Sequence, residues 1–73
     1  MSLPEKKLKA VINGSEMELP EGTTIEGLLN ILEMDSVLVA VEQNLDIVPK
    51  RSFRERTIAS GDRIEIVHFV GGG

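Results

Sequence analysis

The fold is decided by residues 8–19, which have the sequence LKAVINGSEMEL. Apolar and polar side chains alternate on both sides of Asn13-Gly14, and this is the periodicity of half-buried β-strands. Asn-Gly also tolerates the positive φ angles that both central residues of a type I′ turn require. The stretch therefore predicts a β-hairpin, with two antiparallel strands joined at Asn13-Gly14.

One amphipathic helix is predicted directly after the hairpin. Pro20-Glu21-Gly22 ends the second strand, and Thr23 stands three residues before Glu26, the spacing of a capping box. The apolar residues that follow lie at helical spacing and form one stripe: Ile25, Leu28, Leu29 and Leu32. We predict a helix of about ten residues that begins at Thr23 and ends near Met34-Asp35.

Two strands are predicted beyond the helix. Residues 37–41 (VLVAV) are apolar on both faces and suit an interior strand. Residues 44–46 turn the chain, and the proline in Ile47-Val48-Pro49 confines that short strand to an edge of the sheet. Residues 50–58 are predicted to be irregular or a single helical turn, with two side chains closing the open side of the core, Phe53 and Ile58.

The last strand is predicted over residues 63–70, after a turn at Ser60-Gly61-Asp62. Alternation assigns its apolar side chains to two faces, with Ile64 and Ile66 inward and Val67 and Phe69 outward. The order of elements is strand, strand, helix, strand, short strand, strand. This order predicts an α+β fold of two layers, in which the helix covers one face of the sheet.

Length and composition indicate one small globular domain. A chain of 73 residues buries a single small core, and 41% hydrophobic with 27% charged residues is typical of an ordered protein. No apolar run approaches the roughly 20 residues of a membrane-spanning helix, and no secretory signal is visible. We expect one domain over residues 1–73, located in the cytoplasm without a membrane partner, with 71–73 as a flexible glycine tail.

The residue types that carry most catalysis are scarce. The chain has no cysteine, which excludes disulfides and thiol nucleophiles, and it has no glycine-rich phosphate loop. His68 is the single histidine, and without neighbouring ligands we interpret it as a half-exposed strand residue rather than a metal ligand. Glu16 and Glu18 point to the same side of a strand, and we interpret them as a solvated face. We expect no metal site and no enzymatic activity.

Charge is segregated along the chain, whose net charge is -4. Residues 10–49 carry eight acidic residues and no lysine or arginine, whereas residues 50–56 are basic. The acidic surface repels nucleic acid, and the basic stretch lacks interleaved stacking residues, so we expect no nucleic-acid partner. Two interpretations of the charge pattern stay open: binding of a charged protein partner, or a solvated surface that only keeps the chain soluble.

The sequence ends in Val70-Gly71-Gly72-Gly73, immediately after the predicted last strand. Three extended glycines reach about 10 Å beyond Val70, and without Cβ atoms they can enter a narrow tunnel in another protein. A terminal carboxylate is an anion at neutral pH and a poor electrophile, so a partner must activate it, most simply as an acyl-adenylate. We expect that partner to bind Val67 and Phe69. The alternative is that the terminal glycines form a frayed tail without a function.

Several stretches together resemble the ThiS family, the bacterial sulfur carrier proteins of thiamine biosynthesis. They are residues 39–41 (VAV), Asn44, residues 47–50 (IVPK), residues 61–67 (GDRIEIV) and the terminal glycines. The resemblance covers residues 8–73 and is most specific over 47–73. It implies a ubiquitin-like β-grasp fold, with a mixed sheet of four to five strands covered on one face by one helix.

The resemblance also implies a function. An E1-like adenylyltransferase of the ThiF type, using ATP and Mg²⁺, would adenylate the carboxylate of Gly73, which with Gly72 forms the reacting end. Sulfur from a cysteine desulfurase route would convert the adenylate to a thiocarboxylate, and a thiazole synthase of the ThiG type would take that sulfur. The chain would be a carrier that binds no cofactor itself, with four partner-binding residues, Gly71, Val70, Phe69 and Val67.

Three competing functions stay open. The small subunit of molybdopterin synthase shares the fold and the Gly-Gly end, but its members tend to carry a proline pair where this chain has His68-Phe69-Val70. That difference favours the thiamine branch. The second competitor is a ubiquitin-like modifier joined to lysines of target proteins, and the third is an interaction module with an inert tail.

Overall fold

Five strands and one helix make up residues 6–69, the part of the chain that this computed structural model describes. The elements are β1 (Lys7–Ile12), β2 (Ser15–Pro20), α1 (Ile25–Ile31), β3 (Val39–Gln43), β4 (Asp46–Val48) and β5 (Arg63–His68). Short 3₁₀ turns lie at Ser36–Leu38 and Lys50–Ser52. The strand order is β2-β1-β5-β3-β4, with β1 and β5 parallel and all other neighbours antiparallel. The predicted two-layer α+β fold with a mixed sheet is confirmed.

The core lies between α1 and the inner face of the sheet. The alternation in the sequence predicted its members correctly: Leu8, Ala10, Ile12, Ile64 and Ile66 from the strands are buried with Ile25, Leu28 and Leu29 from α1. Phe53 and Ile58 are each 3% exposed and close the open side, as expected. Within residues 6–69, no helix has the length and apolar character needed to cross a membrane.

The predicted turn at Asn13-Gly14 is present and does more than join β1 to β2. Both residues have positive φ, 48° and 83°, as a type I′ turn requires. The Asn13 N–H donates to the Ile64 carbonyl at 2.9 Å, and its side-chain Oδ1 accepts from the Ile66 N–H at 2.7 Å. Asn13 thereby extends the parallel pairing of β1 with β5 beyond the end of β1.

The start of α1 differs from the prediction by one residue. Thr24, not Thr23, is the N-cap, and its Oγ1 accepts from the Gly27 N–H at 3.0 Å. The Thr23 hydroxyl instead donates to the Pro20 carbonyl at 2.6 Å, within the turn that ends β2. Thr23 was the wrong prediction because it belongs to the turn that ends β2, and the extended backbone of an N-cap falls on Thr24.

The helix is also shorter than predicted, since it ends at Ile31 and not near Met34-Asp35. The chain leaves it through a Schellman motif: the Glu33 N–H donates to Asn30 O and the Met34 N–H to Leu29 O. Glu33 takes the left-handed conformation with φ 58°, a position usually held by glycine. Without a glycine there, the sequence carries no stop signal at the true end.

The predicted strand over residues 37–41 begins two residues late. Asp35 caps a 3₁₀ turn at Ser36–Leu38, where its Oδ1 accepts from the Val37 N–H at 2.9 Å. β3 therefore starts at Val39 and continues to Gln43, past the end of the apolar run. Gln43 is 7% exposed, and its Nε2 donates to the Thr57 carbonyl and to Asp62, whereas its Oε1 is buried without a hydrogen-bond partner. The predicted short edge strand is present as β4, but it begins one residue earlier, at Asp46, and ends before Pro49.

Asp62 ties the start of β5 to two neighbouring loops. Its Oδ2 accepts from Gln43 Nε2 and from the Ala59 N–H, both at 2.8 Å, and its Oδ1 accepts from Asn44 Nδ2 at 2.9 Å. Partial burial acts to raise the pKa of the Asp62 carboxyl, but the hydrogen bonds from Ala59, Asn44 and Gln43 outweigh it and hold the pKa below its usual value. The ionised carboxylate is therefore the form that stabilises this corner of the fold.

We predict that Asn13→Gly lowers the free energy of unfolding by about 1–3 kcal/mol, since it keeps the turn conformation but leaves the Ile66 N–H unpaired. Leu45→Gly is the matched control, because Leu45 also has positive φ, 73°, in a two-residue turn but is 89% exposed. Urea unfolding at neutral pH measures both variants. Equal stability of Asn13→Gly and Leu45→Gly would contradict the bridging role of Asn13.

We predict that Asp62→Asn destabilises the protein at pH 7 by about 1–2 kcal/mol, because an amide cannot accept all three hydrogen bonds. Since folding depresses the pKa of Asp62, the carboxylate contributes its full stability above its unfolded pKa of about 3.9 and loses it as the pH falls through the folded value. The difference in the free energy of unfolding between wild type and variant should therefore become smaller below about pH 4. Urea unfolding from pH 7 into the acid range measures it, and a gap independent of pH would contradict the assignment.

Candidate functional site

The two outward side chains predicted on the last strand lie together at the far end of β5. Val67 is 57% exposed and Phe69, the residue after His68, is 51% exposed. The other predicted site residues, Val70, Gly71, Gly72 and Gly73, lie outside the described residues. The partner-binding role of Val67 and Phe69 stays a prediction, but their position next to the C-terminal segment is now defined.

β3 and the turn before it each add one apolar residue to this surface. Ala40 is the register partner of Val67, and the Phe69 N–H donates to the Leu38 carbonyl at 2.7 Å, which continues the same antiparallel register. Residues directly opposite on one face of a sheet bring their Cβ atoms to about 5 Å. We call Leu38, Ala40, Val67 and Phe69 the apolar patch. Leu38 is 41% exposed and Ala40 is half-buried.

The sequence interpretation missed Leu38 and Ala40 as site residues. The run over residues 37–41 is apolar on both faces, and that feature was assigned to burial in an interior strand. In the structure only alternate residues of β3 are buried, which leaves Ala40 on the outer face, and Leu38 lies exposed in the turn just before β3. The apolar run in the sequence contained both residues, but only the register between β3 and β5 shows that they lie beside Val67 and Phe69.

The outer face of β1 and β2 is charged instead of apolar. Lys7 lies 3.8 Å from Glu18, and Lys9 lies 4.0 Å from Glu16, with all four side chains more than half exposed. Exposed pairs of this kind contribute little stability because water screens them. Glu16 and Glu18 are thus a solvated face, as predicted, and the apolar patch is confined to the β3 and β5 half of the sheet.

The Ser36–Leu38 turn beside the patch is held by polar contacts. Lys50 Nζ donates to the Val37 carbonyl at 2.7 Å, while Asp35 Oδ1 accepts from the Val37 N–H. The Val37 side chain itself is 68% exposed. The turn therefore takes its position from hydrogen bonds on both sides of Val37 and from the pairing of Leu38 with Phe69.

Groups suited to catalysis or metal binding are not assembled in residues 6–69. His68 is exposed, and its backbone is paired with that of Val39. No group of three or more His, Cys, Asp or Glu residues in this part of the chain could hold a metal ion. A shallow depression of about 280 Å³ lies at the opposite end of β5, lined by Asn44, Leu45, Arg63 and Glu65.

Known proteins are similar to this chain in both sequence and fold. Residues 6–73 match the ThiS family. The sulfur carrier protein ThiS of Bacillus subtilis is 40% identical over 63 residues, which are 85% of this chain and 96% of that protein. A crystal structure of the thiamine biosynthesis protein ThiS from Geobacter metallireducens matches with a TM-score of 0.78 at 28% identity, over 90% of this chain and 100% of that one.

A larger relative is similar in one segment only. A thiazole synthase of Paramagnetospirillum magneticum is 50% identical over 66 residues, which are 90% of this chain but 20% of that protein. The chain therefore spans a fifth of the length of that relative. The five-stranded mixed sheet with one covering helix agrees with the β-grasp fold that the resemblance implied. The family match over residues 6–73 and the agreement in fold establish that the chain belongs to the ThiS family.

Proposed function

We propose that this chain is a sulfur carrier protein of thiamine biosynthesis, which acts as a co-substrate of other enzymes. The observation that carries the proposal is the match to the ThiS family over residues 6–73, together with 40% identity to a sulfur carrier protein of nearly the same length. An apolar patch beside the C-terminal segment, in a chain without cysteine, supports it. Sulfur would travel on a carboxylate and not on a thiol.

The reacting group is the Gly73 carboxylate. An E1-like adenylyltransferase of the ThiF type would join a carboxylate oxygen to the α-phosphorus of ATP and release pyrophosphate, with Mg²⁺ bound in that enzyme. A persulfide on a partner cysteine, formed with sulfur from a cysteine desulfurase, would then attack the carbonyl carbon and displace AMP, which gives an acyl disulfide. A second thiol would attack the partner's sulfur in that disulfide, release the thiocarboxylate and be oxidised to a disulfide with the partner cysteine. Gly72 and Gly71 suit this path because a chain without Cβ atoms fits a narrow channel.

The apolar patch is the proposed docking surface for these enzymes. Apolar residues that stay exposed in one group are typical of interaction sites, and aromatic residues dominate the binding energy of many interfaces. Phe69 lies at the C-terminal border of the patch and is followed in the sequence by Val70 and Gly71. A partner that covers the patch would receive the C-terminal segment in a defined direction.

A thiazole synthase of the ThiG type is the proposed acceptor of the sulfur. In the thiazole synthase of Paramagnetospirillum magneticum, a segment similar to this chain is part of the same polypeptide. Fusion of two functions in one chain is expected where they act on one reaction sequence. This supports a thiazole synthase as the partner of the separate carrier.

The proposed function predicts a thiocarboxylate on this chain. Incubation with ATP, Mg²⁺, a ThiF-type enzyme and a sulfur source should replace one oxygen atom by sulfur, as measured by intact mass. Deletion of Gly72 and Gly73 should abolish this change and leave the melting temperature almost unchanged, because chain ends contribute little stability.

Each contrary outcome of this experiment rejects the proposal in a different way. A conjugate with another protein would indicate a modifier, and an unchanged mass would indicate an interaction module with an inert tail. A thiocarboxylate that reacts with the large subunit of molybdopterin synthase but not with thiazole synthase would contradict the thiamine pathway. Loading of the deletion variant would contradict the role of Gly73.

We predict that Phe69→Asp raises the KM of the ThiF-type enzyme for this carrier about tenfold, because a charge in the apolar patch must be desolvated on docking. Leu45→Asp is the matched control, since Leu45 is exposed, apolar and at the opposite end of β5. Both variants should unfold within about 0.5 kcal/mol of wild type, as surface substitutions do. Equal KM values for the two variants would remove the patch from the docking surface.

A further inference from the structure

The Ser36–Leu38 turn borders the apolar patch, yet the core does not hold it. It contains no buried residue, and Val37 and Leu38 are 68% and 41% exposed. A 3₁₀ turn of three residues has little stability of its own. Its conformation must therefore come from its hydrogen bonds.

Three groups provide those bonds. Asp35 caps the turn, with Oδ1 accepting from the Val37 N–H at 2.9 Å and its carbonyl accepting from the Leu38 N–H at 3.0 Å. Lys50 approaches from the segment after β4, and its Nζ donates to the Val37 carbonyl at 2.7 Å. The third is the Phe69 N–H, which donates to the Leu38 carbonyl at 2.7 Å.

This last bond gives the turn its importance. Phe69 is the last residue that the structure describes, so the Leu38 carbonyl holds the backbone at the C-terminal border of the apolar patch. Movement of the turn would shift Leu38 within the apolar patch and release Phe69. The Lys50 ammonium is the contact that joins the turn to the segment after β4.

We propose that Lys50 is a positioning residue for sulfur loading: by binding the Val37 carbonyl, it holds the Ser36–Leu38 turn and so keeps Leu38 and Phe69 of the apolar patch in the position that the activating enzyme recognises. The inference rests on the proposed function and adds a residue that touches neither the carboxylate nor ATP. Lys50 lies at the surface and outside the core, so it acts on this local geometry more than on global stability.

The test compares Lys50→Met with Lys50→Arg in the full chain. Methionine keeps the length of the side chain but cannot donate, whereas arginine retains donors and charge. Lys7→Met is the control, because it removes the same charge from an exposed lysine of β1. Two quantities are measured: hydrogen exchange at the Phe69 and Ile66 amides, and the KM and kcat of the ThiF-type enzyme for each variant.

We expect Lys50→Met to speed exchange at the Phe69 amide about three- to tenfold and to leave the Ile66 amide, which is bound to Asn13, unchanged. The KM for the carrier should rise by a similar factor at nearly constant kcat. Lys50→Arg should resemble wild type in both measurements. Lys7→Met should also resemble wild type.

Four results would overturn the inference. Two concern Lys50→Met: an exchange rate at the Phe69 amide equal to that of wild type, or faster exchange with an unchanged KM. The other two are changes in exchange and KM as large as those of Lys50→Met in Lys50→Arg or in Lys7→Met. A raised KM with normal exchange would instead indicate direct contact of Lys50 with the enzyme. Loading of the wild-type protein with sulfur distinguishes failure of the proposed function from failure of this inference. If wild type is not loaded, the proposed function is wrong. If wild type and all variants are loaded equally well, only the role of Lys50 is wrong.

Discussion

The position of β5 between β1 and β3 is the constraint on which the rest of the structure depends. On one side, the Val11 N–H donates to Asp62 O, the Asn13 N–H to Ile64 O, and the Ile66 N–H to the Asn13 side chain. On the other side, β5 pairs along its length with β3. Ile64 and Ile66 are buried beneath α1, so the strand is fixed from three directions. A rigid β5 gives the exposed residues of its other face a constant position.

This arrangement separates the stable part of the protein from the proposed reactive part. The sheet and α1 bury their apolar residues, and the described residues hold no cluster of His, Cys, Asp or Glu that could bind a metal ion. The reactive carboxylate of the proposal lies at the other end of a short glycine segment. The proposed carrier needs a surface that partners recognise and a chain end that fits their active sites, and the apolar patch is the proposed recognition surface.

Much of the fold could be predicted from the sequence because the deciding signals are local. Alternation and Asn13-Gly14 predicted the hairpin, and helical spacing predicted the buried stripe of α1. The errors arose where a side chain had two possible partners, at Thr23 and Asp35, or where a non-glycine residue took a left-handed backbone, at Glu33. Thr23 bonded to the preceding turn and not to the helix, Asp35 capped a 3₁₀ turn in place of the expected strand, and Glu33 ended α1 without glycine. Propensity cannot resolve such competition, since the outcome depends on tertiary contacts.

The sequence by itself determined the α+β class, most of the core, the outward direction of Val67 and Phe69, and the family resemblance through the residues from Ile47 onward. Each of these depends on residue order along one segment. Only the tertiary structure decided that Leu38 and Ala40 complete the apolar patch, that Asn13 bonds to Ile66, and that Lys50 reaches Val37. These contacts join segments that are far apart in the chain, and the register that brings them together is set by packing of the whole sheet.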